Sequence, residues 1–505
     1  MSLKKNTIAN YIGQGYLTLI NIVMLPLYLR YLGAESYGLV GFFAVMQAWL
    51  QLLDAGLSPT LARQVAYERG RDAESFTEVR HLLRSIELIF LVLGILMGLG
   101  IWFASPWIAS RWLDVKTLPL TEVGYCISLM GFIIGLRWLA SLYRSGIQGM
   151  EHQVWLNVAN IALSSLRYVG AWVLLRWITQ EVSHFFEFQI CVSIIELAVL
   201  ATKFYRTLPS AGGRRIGFSF SSLKAVLPFT ASVAYASGIW ILLTQLDKLI
   251  LSHVLSLKEY GYFALVAVVA TGILSFTGPI SQALLPRMTV LLSNGNEKEM
   301  LTIYRKSTQF VAALIFPMTG LVALFSTEML YAWTGDRIAA KWAGPVLTWF
   351  VLGNGILAIS TFQYSLQFAH GKLKLHVMNS TVSALVQVPI IIFAAFKYGV
   401  MGVAISWFAT RLITFFIWPP IIHHYFAPGI HKKWLLEDLA PVFIMTCIMM
   451  AIAGNLRGSL NTASRIEIVA ALGFFGVVAL FANLLVSRLG RESIFRILKL
   501  SRSVG

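Results

Sequence analysis

Leu246-Asp247-Lys248-Leu249-Ile250-Leu251-Ser252-His253-Val254-Leu255-Ser256-Leu257-Lys258-Glu259-Tyr260-Gly261-Tyr262-Phe263 sets two adjacent charges inside an apolar run. It also repeats a stretch near the N-terminus, Leu27-Tyr28-Leu29-Arg30-Tyr31-Leu32-Gly33-Ala34-Glu35-Ser36-Tyr37-Gly38-Leu39-Val40. Shifted by 223 residues, Tyr37-Gly38 falls on Tyr260-Gly261. A duplication follows from this match, and the rest of the chain tests it.

Outward from that stretch the composition is apolar: 57% hydrophobic and 12% charged over 505 residues, with a mean hydropathy of +0.72. The charged share is about half that of an ordinary soluble domain. Apolar runs of about 20 residues, the length that crosses a hydrocarbon core of about 30 Å, recur throughout. In lipid every backbone polar group must be satisfied within the segment, so the spans are helices. Fourteen spans are predicted: 8–31, 37–57, 85–104, 121–143, 154–177, 184–204, 225–255, 260–281, 307–332, 342–367, 374–397, 400–424, 437–455 and 466–487.

A net charge of +17 raises the question of nucleic acid, and the distribution of the basic residues answers it. Most lie at the termini and in the loops after even-numbered spans, among them Arg63, Arg69, Arg71, Arg80, Arg84, Arg214, Arg215, Arg287, Arg305, Lys306, Lys432, Lys433 and Arg488. By the positive-inside rule this side, with both termini, is cytoplasmic, so the charge encodes topology rather than nucleic-acid binding. The opening residues Met1 to Lys5 lead into a full-length span without a small-residue cleavage site, unlike a cleavable signal peptide. Cys126, Cys191 and Cys447 each fall inside a span with no ligand spacing and read as packed thiols, so no metal and no cofactor is expected.

The first span carries Asn10, Gln14, Thr18 and Asn21 at helical spacing, with Pro26 as a kink. That face points to other helices or to water. Asp54 precedes Ser58-Pro59 at the end of the second span, where capping the next helix and a part in transport are both open. Spans four and five carry Arg137 and Arg167, and Asn157, Asn160, Ser164 and Arg167 form one polar stripe; Glu196 at mid-depth of span six is a partner for Arg167. Gln148-Gly149 aligns with His370-Gly371 and Asn157 with Asn379, at an offset of 222, and Trp112 with Trp333 at 221. Six spans per repeat is an even number, so the halves run in the same sense about an axis along the membrane normal. The expected architecture is therefore an all-α polytopic membrane protein: an N-terminal lobe over 1–215, a C-terminal lobe over 216–430 related by pseudo-two-fold symmetry, and two appended spans with a cytoplasmic tail over 431–505.

Four cations sit well within spans: Arg137, Arg167, Lys248 and Arg411. Each costs about 2.5 to 3.5 kcal/mol at the centre of a span even on the lenient insertion scale, so each must face protein or water. Against them stand Asp247 and Glu196, too few to neutralise all four, and the surplus favours an anionic cargo. Asp247 and Lys248, as neighbours, diverge by about 100° on a helix, which leaves Asp247 for a partner on another helix or for a coupling ion. Trp102, Trp107, Trp112, Trp333, Trp342 and Trp418 lie near span ends, as interfacial anchors do, and sugar stacking is the other reading. No P-loop, zinc spacing or nucleophile elbow occurs, and the longest outward loop, about 105–120, is too short for a catalytic domain. A transporter, not an enzyme, is expected.

Pro26 to Leu39, Leu53-Asp54-Ala55-Gly56-Leu57 with Arg63, Leu246-Asp247-Lys248 through Tyr260-Gly261, and Trp333-Thr334-Gly335 together resemble the Wzx-type polysaccharide flippases of the multidrug/oligosaccharidyl-lipid/polysaccharide exporter superfamily. The resemblance covers nearly the whole chain. It implies two six-helix lobes about a cavity that alternates between inward-open and outward-open states. It also implies a cargo, an undecaprenyl-pyrophosphate-linked oligosaccharide repeat unit such as that of O-antigen, moved to the outer leaflet of a bacterial inner membrane beside other polysaccharide-assembly proteins. Arginine grips phosphate bidentately, so Arg30, Arg137, Arg167, Lys248 and Arg411 are the candidate substrate contacts, with Asp247, Glu196 and Asp54 for ion coupling or charge pairing. A lipid II flippase and a multidrug exporter of the same superfamily are the rival readings. Lys248 stands against Leu25 and Arg167 against Pro389 in the repeat, so substrate contacts are expected to be asymmetric.

Overall fold

The computed structural model describes residues 3–54, 56–69, 76–208, 217–460 and 463–487. Arg71, Arg214, Arg215 and Arg488, part of the basic pattern, lie outside them. The regular secondary structure of the described residues is helical, with one isolated bridge between Asp114 and Ser256. The chain divides into two compact units, Met1–Gly261 and Tyr262–Gly505.

The first unit contains α1 (Leu3–Leu32), α2 (Ala34–Leu50), α3 (Leu57–Arg69), α4 (Phe76–Trp107), α5 (Leu120–Gly149), α6 (Gln153–Ser165), α7 (Ala171–Trp177), α8 (Val182–Thr207) and α9 (Phe220–Val254). Its core is centred on α5, whose Trp138, Leu142 and Ile147 are buried with Leu82, Ile86 and Phe90 of α4 and Leu200 and Phe204 of α8. Glycines bring α4 and α5 close, as small residues do where helices pack in lipid. A methyl added at Gly131 would lie 3.0 Å from Ile101, and one at Gly135 3.4 Å from the Gly94 carbonyl oxygen.

The repeated Tyr-Gly motifs meet inside this unit. A side chain on Gly38 would run into the carbonyl of Leu257, and one on Gly261 into the carbonyl of Ala34. Leu257 is Ala34 plus 223 and Gly261 is Gly38 plus 223, so the two contacts are the same contact under the offset read from the sequence. Beside them Glu35 accepts from the amides of Lys116 (2.7 Å) and Thr117 (3.0 Å) and from the Thr117 hydroxyl. The Leu257 amide donates to Asp114 O at 2.9 Å, and the Trp112 indole donates to Ser252 Oγ at 3.1 Å. The connection between α4 and α5 is thus stapled to the start of α2 and the end of α9. Helix persists through Trp107 and a π turn to Trp112, leaving a shorter connection than the 105–120 loop read from the sequence.

α10 (Leu257–Ser275) crosses the boundary between the units. The second unit continues with α11 (Thr277–Ser293), α12 (Glu297–Leu324), α13 (Ser326–Thr334), α14 (Arg337–Ser360), α15 (Phe362–Ala369), α16 (Lys374–Phe426), α17 (Ile430–Lys433), α18 (Ala440–Gly454), α19 (Arg457–Leu460) and α20 (Arg465–Val486). The last long helices, α18 and α20, pack on α12; Thr446 and Asn483 join α18 to α20 by a hydrogen bond of 3.1 Å. A helix of 53 residues, as α16 is, would reach about 80 Å at 1.5 Å per residue, against a bilayer core of about 30 Å. It is interrupted at Gly399, with φ 61° and ψ −152°, a conformation that suits glycine alone. The predicted spans 374–397 and 400–424 fall on either side of that break.

Twelve helical segments among the described residues are long and apolar enough to cross a membrane, which makes this a multi-pass membrane protein. α16 counts as one of the twelve, and α9, which carries Thr230, Gln245, Asp247 and Lys248, is not among them.

Candidate functional site

Arg137 projects from α5 and is held by neutral oxygens from two neighbouring helices. Its Nη1 donates to Gln47 Oε1 of α2 at 2.9 Å, Nη2 to Gln189 Oε1 of α8 at 2.8 Å, and Nε to Ser193 Oγ at 3.3 Å. The guanidinium also lies 5.1 Å from the Phe43 ring centre, within cation–π range. Amide and hydroxyl dipoles orient this charge without cancelling it.

Glu196, with its side chain only 4% exposed, sits on the same helix as Gln189 and Ser193 and accepts from Arg167 and from Arg144, the latter at 2.5 Å. Arg167 lies in a π turn, Leu166–Gly170, which splits the fifth predicted span into α6 and α7. Such single-turn insertions recur at functional sites. The Nε atoms of Arg144 and Arg167 are buried and have no hydrogen-bond partner among the described residues. Among the described residues, two guanidiniums therefore share the Glu196 carboxylate, and Arg137, on the same helix as Arg144, is held by neutral oxygens.

Glu196 meets Arg167 as their depths imply. Arg144, by contrast, falls just past the predicted span 121–143, where the sequence offers no reason to count it with the cations inside spans. α5 runs on to Gly149, and Arg144 lies seven residues after Arg137, on the same face. Gln189, Ser193 and Glu196, spaced four and three apart, form the facing stripe on α8, a pattern the sequence reading left unused.

Elsewhere the predicted residues take separate places. Lys248 Nζ turns back to the Thr244 carbonyl and comes within 3.7 Å of Asp247 Oδ1. This corrects the expectation that the two diverge: Cβ directions do differ by about 100°, but the flexible four-carbon stem of lysine spans the gap. Asp247 is 2% exposed and its Oδ1 has no hydrogen-bond partner among the described residues. Asp54 accepts from the Ser58 amide (3.0 Å) and hydroxyl (2.9 Å), the capping geometry at the start of α3. Arg30 is exposed in the last turn of α1, where its charge suits the helix dipole. In the second unit Arg411 stacks on Trp407, 4.3 Å from the ring centre, and the Trp407 indole donates to Asn354 Oδ1 at 3.0 Å. Of the α1 polar stripe, Asn10 accepts from Asn157 Nδ2 of α6 at 2.6 Å, an interhelical bond, while Gln14 is exposed.

No group of three or more metal-ligating side chains occurs among the described residues. Chemically the site is a preoriented set of guanidinium donors suited to phosphate-like oxygens.

Residues 3–292 match the model of the family described as polysaccharide biosynthesis protein. The chain belongs to that family. A candidate O-antigen transporter of Shigella flexneri is 22% identical to this polysaccharide biosynthesis protein over 408 residues, covering 81% of this chain and 94% of the relative. Among solved structures, the lipid II flippase MurJ in an inward-closed conformation superposes with a TM-score of 0.70 at 13% identity, over 97% of this chain and 99% of that one. An inward-facing multidrug-resistance MATE transporter of the MOP superfamily gives 0.66 at 14% identity, over 81% and 95%. The fold is that of the MOP superfamily, and the resemblance to its Wzx-type flippases holds.

Proposed function

We propose that this protein is a flippase that carries a lipid-linked polysaccharide repeat unit from the cytoplasmic to the outer leaflet of a bacterial inner membrane. The single observation that carries the reading is the group Arg137, Arg144 and Arg167, in which Arg144 and Arg167 share Glu196 and Arg137 has neutral oxygen partners among the described residues. The cargo class must bring an anion into the helical interior while its lipid tail stays in the bilayer, and a polyprenyl pyrophosphate, here undecaprenyl, meets both demands. Membership in the polysaccharide biosynthesis family supports the sugar, and likeness to an O-antigen transporter supports its kind. A cationic drug would want the opposite charge in the site, so the fold shared with a MATE transporter does not carry a drug-export reading.

In this reading Arg137 and Arg167 take the pyrophosphate oxygens, with Arg30, Lys248 and Arg411 along the remainder of the path. Glu196 bridges Arg144 and Arg167 and offsets part of their mutual repulsion, and Asp247 serves as a charge partner or ion-coupling group. Six spans in each lobe, 1–215 and 216–430, with two more over 431–505, make fourteen in all, and both termini face the cytoplasm. The break at Gly399 and the reciprocal Gly38 and Gly261 contacts support the duplicated arrangement. Alternating exposure of the cationic group to the two sides completes the cycle.

Deletion of the gene tests the assignment. Undecaprenyl-linked oligosaccharide should accumulate on the cytoplasmic face, measured by mass spectrometry of extracted lipids, and re-expression should clear it; no accumulation would sink the assignment.

A further inference from the structure

In the first unit, Trp155 of α6 and the last turns of α8 line an open groove of about 560 Å³, the α8 wall formed by Val199, Thr202, Lys203, Arg206 and Thr207, with Ala198 beside them. The volume lies within the range of about 300–1,000 Å³ typical of small-ligand sites. Its walls divide by chemistry. Val199 and Ala198 are exposed and apolar, and Ile194 and Ile195, one turn earlier on α8, extend that surface along the helix. At the other end stand two cations and two hydroxyls.

Lys203 is not loose on this rim. Its Nζ lies 5.2 Å from the Trp155 ring centre, which holds the ammonium at the cavity mouth. Trp155 is itself fixed by packing against the core of the first unit. Arg206 lies one turn further along α8, is exposed, and has a strong fork of donors for phosphate oxygens. The local field is positive: burial and the charges of Lys203 and Arg69 push the His152 pKa below its ordinary value, so the imidazole in the α5–α6 connection adds no charge at neutral pH.

A basic rim joined to a lipid-facing apolar wall selects an amphiphile with an anionic head. We infer that this cavity binds the phosphate headgroup of an anionic glycerophospholipid, with Lys203 and Arg206 on the phosphate, Thr202 accepting or donating at its edge, and an acyl chain lying along Ile195 and Val199. Basic pockets between spanning helices on the cytoplasmic side are suited to such heads, and the excess of basic residues at this end of α6 and α8 matches that side. None of the residues lining the groove is among the proposed cargo contacts.

Purified, delipidated protein is titrated with phosphatidylglycerol, with phosphatidylcholine and with inorganic phosphate, and thermal unfolding is followed. A phosphatidylglycerol bearing a photoreactive acyl chain is cross-linked in parallel and mapped by mass spectrometry. Phosphatidylglycerol alone should raise Tm and label peptides of α6 and α8. Lys203→Gln with Arg206→Gln should weaken the apparent affinity on the order of tenfold or more, since each basic group near a charged lipid surface is worth about 1 kcal/mol. Lys432→Gln with Lys433→Gln, on the second unit, should leave it unchanged. Equal effects from phosphatidylcholine, saturation by inorganic phosphate alone, or undiminished labelling in the Lys203/Arg206 variant would each overturn the inference. If the double variant does not purify, labelling of Lys203→Gln in native membranes decides in the same way.

Discussion

Arg305 in the second unit and Arg137 in the first are both guanidiniums held among helices, but their partners differ in charge. Arg305 of α12 donates to both oxygens of Asp438, at 2.5 and 2.9 Å, and to Glu437 at 2.8 Å. Gln309 then donates to the carbonyl of Asp438 at 3.2 Å, and Tyr304 and His423 join at 2.8 Å nearby. There two carboxylates more than offset the one guanidinium, and the cluster pins the start of α18 to α12. Arg137 has amide and hydroxyl oxygens in place of carboxylates, and its neighbours Arg144 and Arg167 share one Glu196. A neutralised arginine is a structural clasp. An arginine oriented by dipoles keeps its charge for something that arrives.

Three substitutions sharpen or break this contrast. The largest loss of stability is expected from Asp438→Ala, which removes the buried, two-oxygen partner of Arg305 and leaves it the half-exposed Glu437; the loss should approach, without reaching, the about 3–5 kcal/mol of a buried charge left with no partner. Thermal unfolding in detergent measures it, and a loss as small as that of an exposed pair would show that the clasp is solvated. Glu196→Gln comes next. It leaves Arg144 and Arg167 without their shared carboxylate, so Tm should fall in anion-free buffer and recover when pyrophosphate is added, as Asp438→Ala should not. Equal failure of pyrophosphate on both variants would erase the distinction. The smallest effect on folding belongs to Arg137→Gln, which loses the charge and part of the three-bond fork but leaves a polar amide facing the neutral oxygens of Gln47, Gln189 and Ser193 and no stranded carboxylate; its Tm should fall less than that of either other variant.

Much of the scaffold was legible in the sequence for a physical reason. Spanning helices must be long and apolar, and the glycine at 399 marks the break inside α16 because no other residue takes its backbone angles readily. The two Tyr-Gly motifs were legible as a pair, and Gly38 and Gly261 approach residues related by the same 223-residue offset. Helix ends were harder: α4 begins at Phe76 and α5 ends at Gly149, beyond the apolar window, because a helix continues into the interface with charges such as Arg80, Arg84 and Arg144 on it.

The candidate site was half legible. Arg137, Arg167 and Glu196 stand out because a charge in lipid is costly wherever it falls. Gln47, Gln189 and Ser193 carry no such signal individually, although the 189, 193, 196 spacing marks a single face of α8. Arg305 and Asp438 are 133 residues apart, and only tertiary structure pairs them. The contact between Asp247 and Lys248 escaped a backbone argument because the reach of a lysine stem is not a backbone property.

The central claim is that the charge of Arg137 and Arg167 moves an anionic lipid-linked sugar. Purified protein reconstituted in vesicles with a fluorescent undecaprenyl-pyrophosphate-linked oligosaccharide tests it directly, with leaflet exposure read by quenching. Wild-type protein should flip the lipid, and Arg137→Gln and Arg167→Gln, folded by thermal unfolding, should each slow it on the order of tenfold or more, the loss of a charge-assisted contact of about 1.5–3 kcal/mol. Undiminished flipping by both folded variants would contradict the account.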